Sequence, residues 1–176
     1  MITTRTTNKI SRVQNLLNYL MQPDVYTVFD IDGTLGVYLF GELRHSACED
    51  SMWEAFVKES KPYTTMIEAP YQMKDFIEQK TKLNAKSVHV CSVSKQYEIE
   101  DKGNFIVKEY PTIMHENIHF VGDKSEKIYV LNEIAKVAGG EEKVALIDDT
   151  IKTLDGIFLQ SKFITVHNSV FFMYKH

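Results

Sequence analysis

Apolar positions along the chain change period several times, and the changes mark out elements. From Ser11 to Met21 the apolar residues are Val13, Leu16, Leu17, Leu20 and Met21. That is helical spacing, and Pro23 stops it. Val25 to Phe29 is a short run of apolar, β-branched and aromatic residues, which predicts a buried strand. Val37 to Leu43 has the pattern of a small hairpin or flap. Ala47 to Lys58 predicts a helix carrying Trp53, Phe56 and Val57, and Pro62 and Pro70 bracket a loop. Tyr71 to Lys82 predicts a second helix with Met73, Phe76 and Ile77 inward, and Ser87 to Cys91 a strand. Tyr97 to Tyr110 supports two readings: Lys102-Gly103-Asn104 suits a hairpin turn, while the flanks suit a helix. Beyond it lie a strand at Asn117 to Val121 and a helix at Ser125 to Ala138, closed by Gly139-Gly140. Then come a strand at Lys143 to Ile147, a helix at Thr150 to Leu159 and a strand at Phe163 to Val166. The apolar tail Val170 to Tyr174 suits core packing, with an edge strand or a dimer contact as alternatives.

Short strands alternating with helices predict an α/β fold: a Rossmann-like core with a parallel sheet of about five strands between helices. The chain has 176 residues, no internal repeat and no long linker, so a single domain over 1–176 is expected, with 35–70 as a small insertion. In an open α/β sheet, ligands bind beyond the carboxyl ends of the strands. Chemistry-bearing residues should therefore cluster just after strands.

Composition narrows the function classes. A net charge of −4 offers no global basic field for nucleic acid, although a nucleic-acid end is still compatible with it. Cys48 and Cys91 are far apart, and Cys91 sits in an apolar run as a small hydrophobe. A disulfide framework is not expected. The polar, Thr-rich stretch from Met1 to Lys9 lacks the apolar core of a signal peptide, and no apolar run reaches membrane-span length. A cytoplasmic protein with no membrane partner is expected, either monomer or homodimer.

Four consecutive strands end in residues suited to phosphoryl transfer. After the first comes Asp30-Ile31-Asp32-Gly33-Thr34-Leu35, after the second Ser92, after the third Gly122-Asp123-Lys124, and after the fourth Asp148-Asp149. Such transfer needs a nucleophile, a cation, a proton carrier and donors to the phosphoryl oxygens. This ordered set resembles the haloacid dehalogenase (HAD) superfamily of phosphohydrolases over about Val25 to Val166. Within it, Tyr110-Pro111, Asn117 to Ser125 and Ile147-Asp148-Asp149 look like the 5'(3')-deoxyribonucleotidase group. The chain differs from that group in a helix between Lys124 and the acidic pair, and in a shorter segment between Asp32 and Ser92 than the usual helical cap.

The resemblance implies roles. Asp30 would attack phosphorus and form a phosphoaspartate, with a metal offsetting phosphate repulsion. Asp32 would be the general acid and base. Gly33 would allow a tight backbone turn near the phosphate, with Thr34 supporting the loop. Ser92 would donate to a phosphoryl oxygen, with Ser94 as its rival. Lys124 would neutralise phosphate and orient Asp30, with Lys127 as its rival. Mg²⁺ would be held by Asp30, Asp32 through its backbone carbonyl, and Asp148, with Asp149 as an alternate ligand or support. Each residue also has a plainer reading: turn and cap residues for the aspartates, a loop serine, exposed helix lysines, and a surface position for Asp155. The six histidines show no metal-binding spacing. Trp53, Tyr38 and Phe40, with Phe56 and Tyr63, lie where this superfamily inserts caps. They are candidates to select the substrate by stacking, against a plainer role as core under the cap.

The expected function is a Mg²⁺-dependent phosphomonoester hydrolase acting on a small phosphorylated substrate, first a nucleoside monophosphate. The alternatives are a phosphatase for polynucleotide ends, other small molecules or proteins, and a non-catalytic regulatory protein on the same fold.

Overall fold

The computed structural model describes residues 4–37 and 50–173. The core is a five-stranded parallel sheet built from β1 (Tyr26–Phe29), β4 (Val88–Val93), β5 (Ile118–Val121), β6 (Val144–Asp148) and β7 (Ile164–His167), in the order β5-β4-β1-β6-β7. β6 is buried along its whole length, as is β4 except at its last residue, because helices cover both faces. That is why these strands read as continuous apolar runs rather than alternating ones.

One face packs on α1 (Thr4–Leu20), α4 (Tyr71–Asn84) and α5 (Ile99–Glu109), and its core includes Leu17, Phe29, Phe76, Val90 and Ile106. The other packs on α6 (Lys127–Ala138) and α7 (Ile151–Phe158), with Val28, Cys91, Leu131 and Leu146. Fully burying one such side chain is worth roughly 1.5–3 kcal/mol, so these two clusters dominate the favourable side of folding. Burial pushes the Cys91 thiol up to about 12, which leaves it an inert packing group. The tail forms a 3₁₀ segment, Asn168–Met173, whose Phe171 enters the first core beside Phe29 and Phe76.

An insertion follows β1. Its base is an antiparallel pair of two-residue strands, β2 (Gly36–Val37) and β3 (Ile67–Glu68). Between them lie α2 (Asp50–Ser60) and the short α3 (Pro62–Thr65), with residues 38–49 outside the described part. Tyr110 pins this base: its hydroxyl donates to the Leu35 carbonyl at 2.6 Å and accepts from the Ala69 N–H at 2.9 Å.

Two segments differ from the sequence expectation. Residues 62–70 hold a helical turn and a strand rather than only a loop. Of the two readings of Tyr97 to Tyr110, the helix is the one realised as α5, which buries Lys102, Phe105 and Ile106. Gly103 sits within it facing open space, where the missing side chain costs only intrinsic helix propensity. Among the described residues, no helix is long and apolar enough to cross a membrane.

The sheet order sets the place for a site. From β1 the chain winds outward to β4 and β5, then returns to the other side of β1 as β6 and β7. The winding direction switches between β1 and β6, and a crevice opens there beyond the carboxyl ends. In register, Phe29 lies opposite both Val90 and Ile147, so Asp30 emerges beside Asp148.

Candidate active site

Asp30 continues β1 by donating its N–H to the Ile147 carbonyl at 2.9 Å. The chain then turns back sharply. The Ile31 carbonyl accepts from the N–H groups of Thr34, Leu35 and Gly36 at 2.9–3.1 Å, and Gly33 N–H donates to the Gly36 carbonyl. Gly33 has φ 75°, the left-handed region, and a Cβ built there would lie 2.2 Å from Asp149 Oδ2. Both conformation and proximity therefore demand glycine. Asn168, just past β7, fastens the loop by donating to the Gly33 carbonyl at 2.7 Å.

This loop and the end of β6 bring three carboxylates together. One oxygen from each of Asp30, Asp148 and Asp149 lies within 4.8 Å of the others. Asp30 and Asp148 are buried, whereas Asp149 is exposed. Lys127, 1% exposed, reaches in from the first turn of α6, with Nζ 2.7 Å from Asp148 Oδ2 and 3.0 Å from Asp30 Oδ1. The contact to Asp148 is a hydrogen bond. The contact to Asp30 is a close charge pair without hydrogen-bond alignment, so Asp30 Oδ1 is buried with no hydrogen-bond partner. Asp148 Oδ1 accepts the Thr150 N–H at 2.8 Å, and Asp149 Oδ1 the Thr150 hydroxyl at 3.1 Å.

The electrostatics follow. Asp30 and Asp148 share one buried ammonium, which leaves an excess negative charge between them, and the exposed Asp149 adds a further carboxylate beside the pair. Burial, with Asp148 and Asp32 adding to it and Lys127 opposing, pushes the Asp30 carboxyl up to about 6. Desolvation raises Asp149 as well. Lys127 is held well above its ordinary value because the attraction of Asp30 and Asp148 outweighs its burial. An all-oxygen donor set, with carboxylates in excess of the one buried ammonium and Asp30 Oδ1 lacking an aligned hydrogen bond, fits a hard divalent cation.

Ser92 and Asp32 form the neighbouring group. Ser92, fully buried in β4, donates its hydroxyl to Asp32 Oδ2 at 3.2 Å. Its rival Ser94 is tied through its N–H to the Val121 carbonyl, and its buried hydroxyl has no hydrogen-bond partner among the described residues.

The lysine beside Asp30 is Lys127, not Lys124, which corrects the expectation from the sequence. Asp123 accepts the Ser125 N–H and starts a 3₁₀ turn over Lys124–Glu126. Those residues displace the start of α6, so the first helical lysine facing the sheet is Lys127. Lys124 is exposed on the wall of a groove of about 380 Å³ between this turn and α7, shared with Ser125, Lys152 and Thr153, and its charge is felt by Asp149. Trp53 is half-buried. It packs on Phe56 with ring centroids 5.3 Å apart and donates its indole N–H to Glu98 at 2.8 Å. Tyr38 and Phe40 lie outside the described residues.

The sequence reading missed Lys102, Glu98 and the contribution of Tyr63. Lys102 Nζ lies 2.8 Å from Asp32 Oδ2, and the Tyr63 hydroxyl oxygen lies 3.3 Å from Asp32 Oδ1. The i,i+4 pair Glu98 and Lys102, on the same face as Phe105 and Ile106, is the signal that could have found them. A larger cavity, about 600 Å³, lies toward the amino ends of the strands, lined by Tyr26, His89 and His119, and does not adjoin these carboxylates.

Compared with known proteins, the chain matches no family model, no curated protein and no solved structure.

Proposed function

We propose that this chain is a divalent-cation-dependent phosphomonoester hydrolase of HAD type, with Asp30 as nucleophile and a nucleoside monophosphate as its first candidate substrate. The observation that carries the reading is the convergence of Asp30, Asp148 and Asp149 at the β1–β6 switch point, with Lys127 between the first two. Mg²⁺ is the ion this oxygen donor set suits; held by Asp30, Asp148 and Asp149, it would supply positive charge to offset repulsion between carboxylate and phosphate.

A carboxylate oxygen of Asp30 bonds to phosphorus as the ester P–O bond breaks. The leaving oxygen takes that electron pair and a proton from Asp32. Water next adds to phosphorus and gives a proton to Asp32 as the bond to Asp30 breaks, releasing phosphate and restoring the carboxylate. Lys127 keeps Asp30 aimed and offsets charge throughout.

A second reading, a phosphatase for polynucleotide ends, draws on the groove with Lys124 and Lys152 beside Asp149, which could follow a longer phosphorylated chain. A panel of p-nitrophenyl phosphate, nucleoside monophosphates and 5'- or 3'-phosphorylated oligonucleotides, each with Mg²⁺ or with chelator, separates the two. Preference for mononucleotides supports the first reading and preference for oligonucleotide ends the second. Absence of Mg²⁺-dependent phosphate release from every substrate refutes both.

A further inference from the structure

Burying a lysine is costly unless its charge and its protons are all met. Lys102 is 2% exposed and lies on α5, a helix outside the sequence motifs. Its ammonium has three protons and three acceptors: Asp32 Oδ2 at 2.8 Å, the Val93 carbonyl at 2.7 Å and Ser92 Oγ at 3.5 Å. The Tyr63 ring centroid lies 5.2 Å from the same nitrogen. The ammonium is thus fixed on every side, and the mobile partner it fixes is Asp32.

A second layer holds the lysine. Glu98, one turn earlier on α5, has Oε1 at 3.8 Å from Lys102 Nζ and is itself buried. Its carboxylate accepts from the Trp53 indole at 2.8 Å, the Tyr63 hydroxyl at 2.9 Å and the Lys95 N–H at 2.5 Å. Trp53 and Tyr63 belong to the insertion, so the insertion is tied through Glu98 to the carboxylate that would move the proton.

We infer that Lys102 is a positioning residue for Asp32, and that Trp53 and Tyr63 of the insertion lock it in place through Glu98. The inference rests on Asp32 being the proton-transfer group of the proposed hydrolysis. The side chain of Asp32 is 31% exposed, open enough to meet a substrate. Left alone, such a side chain would sample several rotamers. Lys102 and Ser92, which both donate to it, confine it to one, with the Tyr63 hydroxyl oxygen against its other side, and that is what proton transfer to a defined oxygen requires.

The test is transient kinetics of full-length Lys102→Met with two substrates. p-Nitrophenol leaves with little need of a proton, so the first step on p-nitrophenyl phosphate should keep its rate. Attack of water on the phosphoaspartate should slow, giving a burst of one p-nitrophenol per site and a steady state reduced by about tenfold to a hundredfold. A nucleoside 5'-monophosphate, whose alkoxide needs the proton, should lose at least as much already in the first step. A purely structural role would lower the burst and both steady states together, and that result, or unchanged turnover on both substrates, overturns the inference. Trp53→Phe removes the hydrogen bond to Glu98 together with the five-membered half of the indole, and keeps a benzene ring against Phe56. It should show the same split on a smaller scale, about threefold, and it decides the matter if Lys102→Met does not fold. A wild-type protein inactive on both substrates refutes the hydrolase reading itself, and this inference with it. An active wild type with equal losses refutes the inference alone.

Discussion

Two buried lysine–carboxylate clusters stand side by side at the carboxyl ends of β1, β4 and β6, and they are built to opposite specifications. Around Lys102, every ammonium proton has an acceptor, and Glu98 receives three further donors. Around Lys127, two carboxylates compete for one ammonium with the exposed Asp149 beside them, and Asp30 Oδ1 is left without a hydrogen bond. The first cluster is satisfied by the protein alone and holds a shape. The second carries unbalanced charge, a state that folding tolerates only when something else completes it. In the proposed function, their difference separates a part that positions from a part that reacts.

The sharpest way to break the comparison is to remove Lys127. Lys127→Met leaves Asp30 and Asp148 buried against each other without a cation, which should cost on the order of 3–5 kcal/mol by urea denaturation in chelator. Divalent cation should restore part of that loss, because it binds the same carboxylates. A variant as stable as wild type would show that the ion pairs at 2.7 and 3.0 Å do not hold the cluster.

Asp30→Asn tests the excess charge with the opposite sign. Asp30 is raised to about 6, above its unfolded value, so ionising it opposes folding. The penalty is absent below about pH 4, grows as pH rises through the interval up to about 6, and is fully present above it. In chelator at pH 7.5, Asp30→Asn should therefore be more stable than wild type by about 1–3 kcal/mol, with the gap closing toward pH 4. Equal stability at both pH values would contradict the excess charge.

Gly33→Ala should cost about 1–2 kcal/mol from the left-handed backbone alone. It should also weaken Mg²⁺ binding measured by calorimetry, since the new methyl meets Asp149 Oδ2. Unchanged affinity would remove Asp149 from the ion site. The smallest effect is expected at Lys124. Lys124→Met should stay within about 0.5 kcal/mol of wild-type stability, since the side chain lies exposed at the groove. A loss comparable to that of Lys127→Met would return Lys124 to the centre of the site.

The strands and the aspartates of these clusters were legible in the sequence, the two lysines were not, and the misses share a cause. The runs at Val25 to Phe29 and Lys143 to Ile147 read as buried strands because both faces are covered, and the acidic residues after them fell where the sheet places them. What depended on a short turn was not legible. The 3₁₀ turn at Lys124–Glu126 decides which lysine faces Asp30, and pattern alone does not reveal its hydrogen bonds. Lys102-Gly103-Asn104 carries turn residues, yet the packing of Phe105 and Ile106 overrides that local preference and makes a helix. Lys102 was hidden by the same ambiguity: as a turn residue it would face water, and only the helix turns it inward to Asp32. The insertion's base was only partly visible, because two-residue strands carry too little periodicity to register.

In the proposed function, the unbalanced cluster is a catalytic centre with Asp30 as its nucleophile. The most direct measurement is Mg²⁺-dependent release of p-nitrophenol from p-nitrophenyl phosphate by wild type and by Asp30→Asn, both shown folded by circular dichroism. Wild type should turn over with Mg²⁺ and stop in chelator, while Asp30→Asn should lose on the order of a thousandfold or more, about 4 kcal/mol of transition-state stabilisation. Comparable rates for the two proteins, or a wild type equally active in excess chelator, would contradict the account.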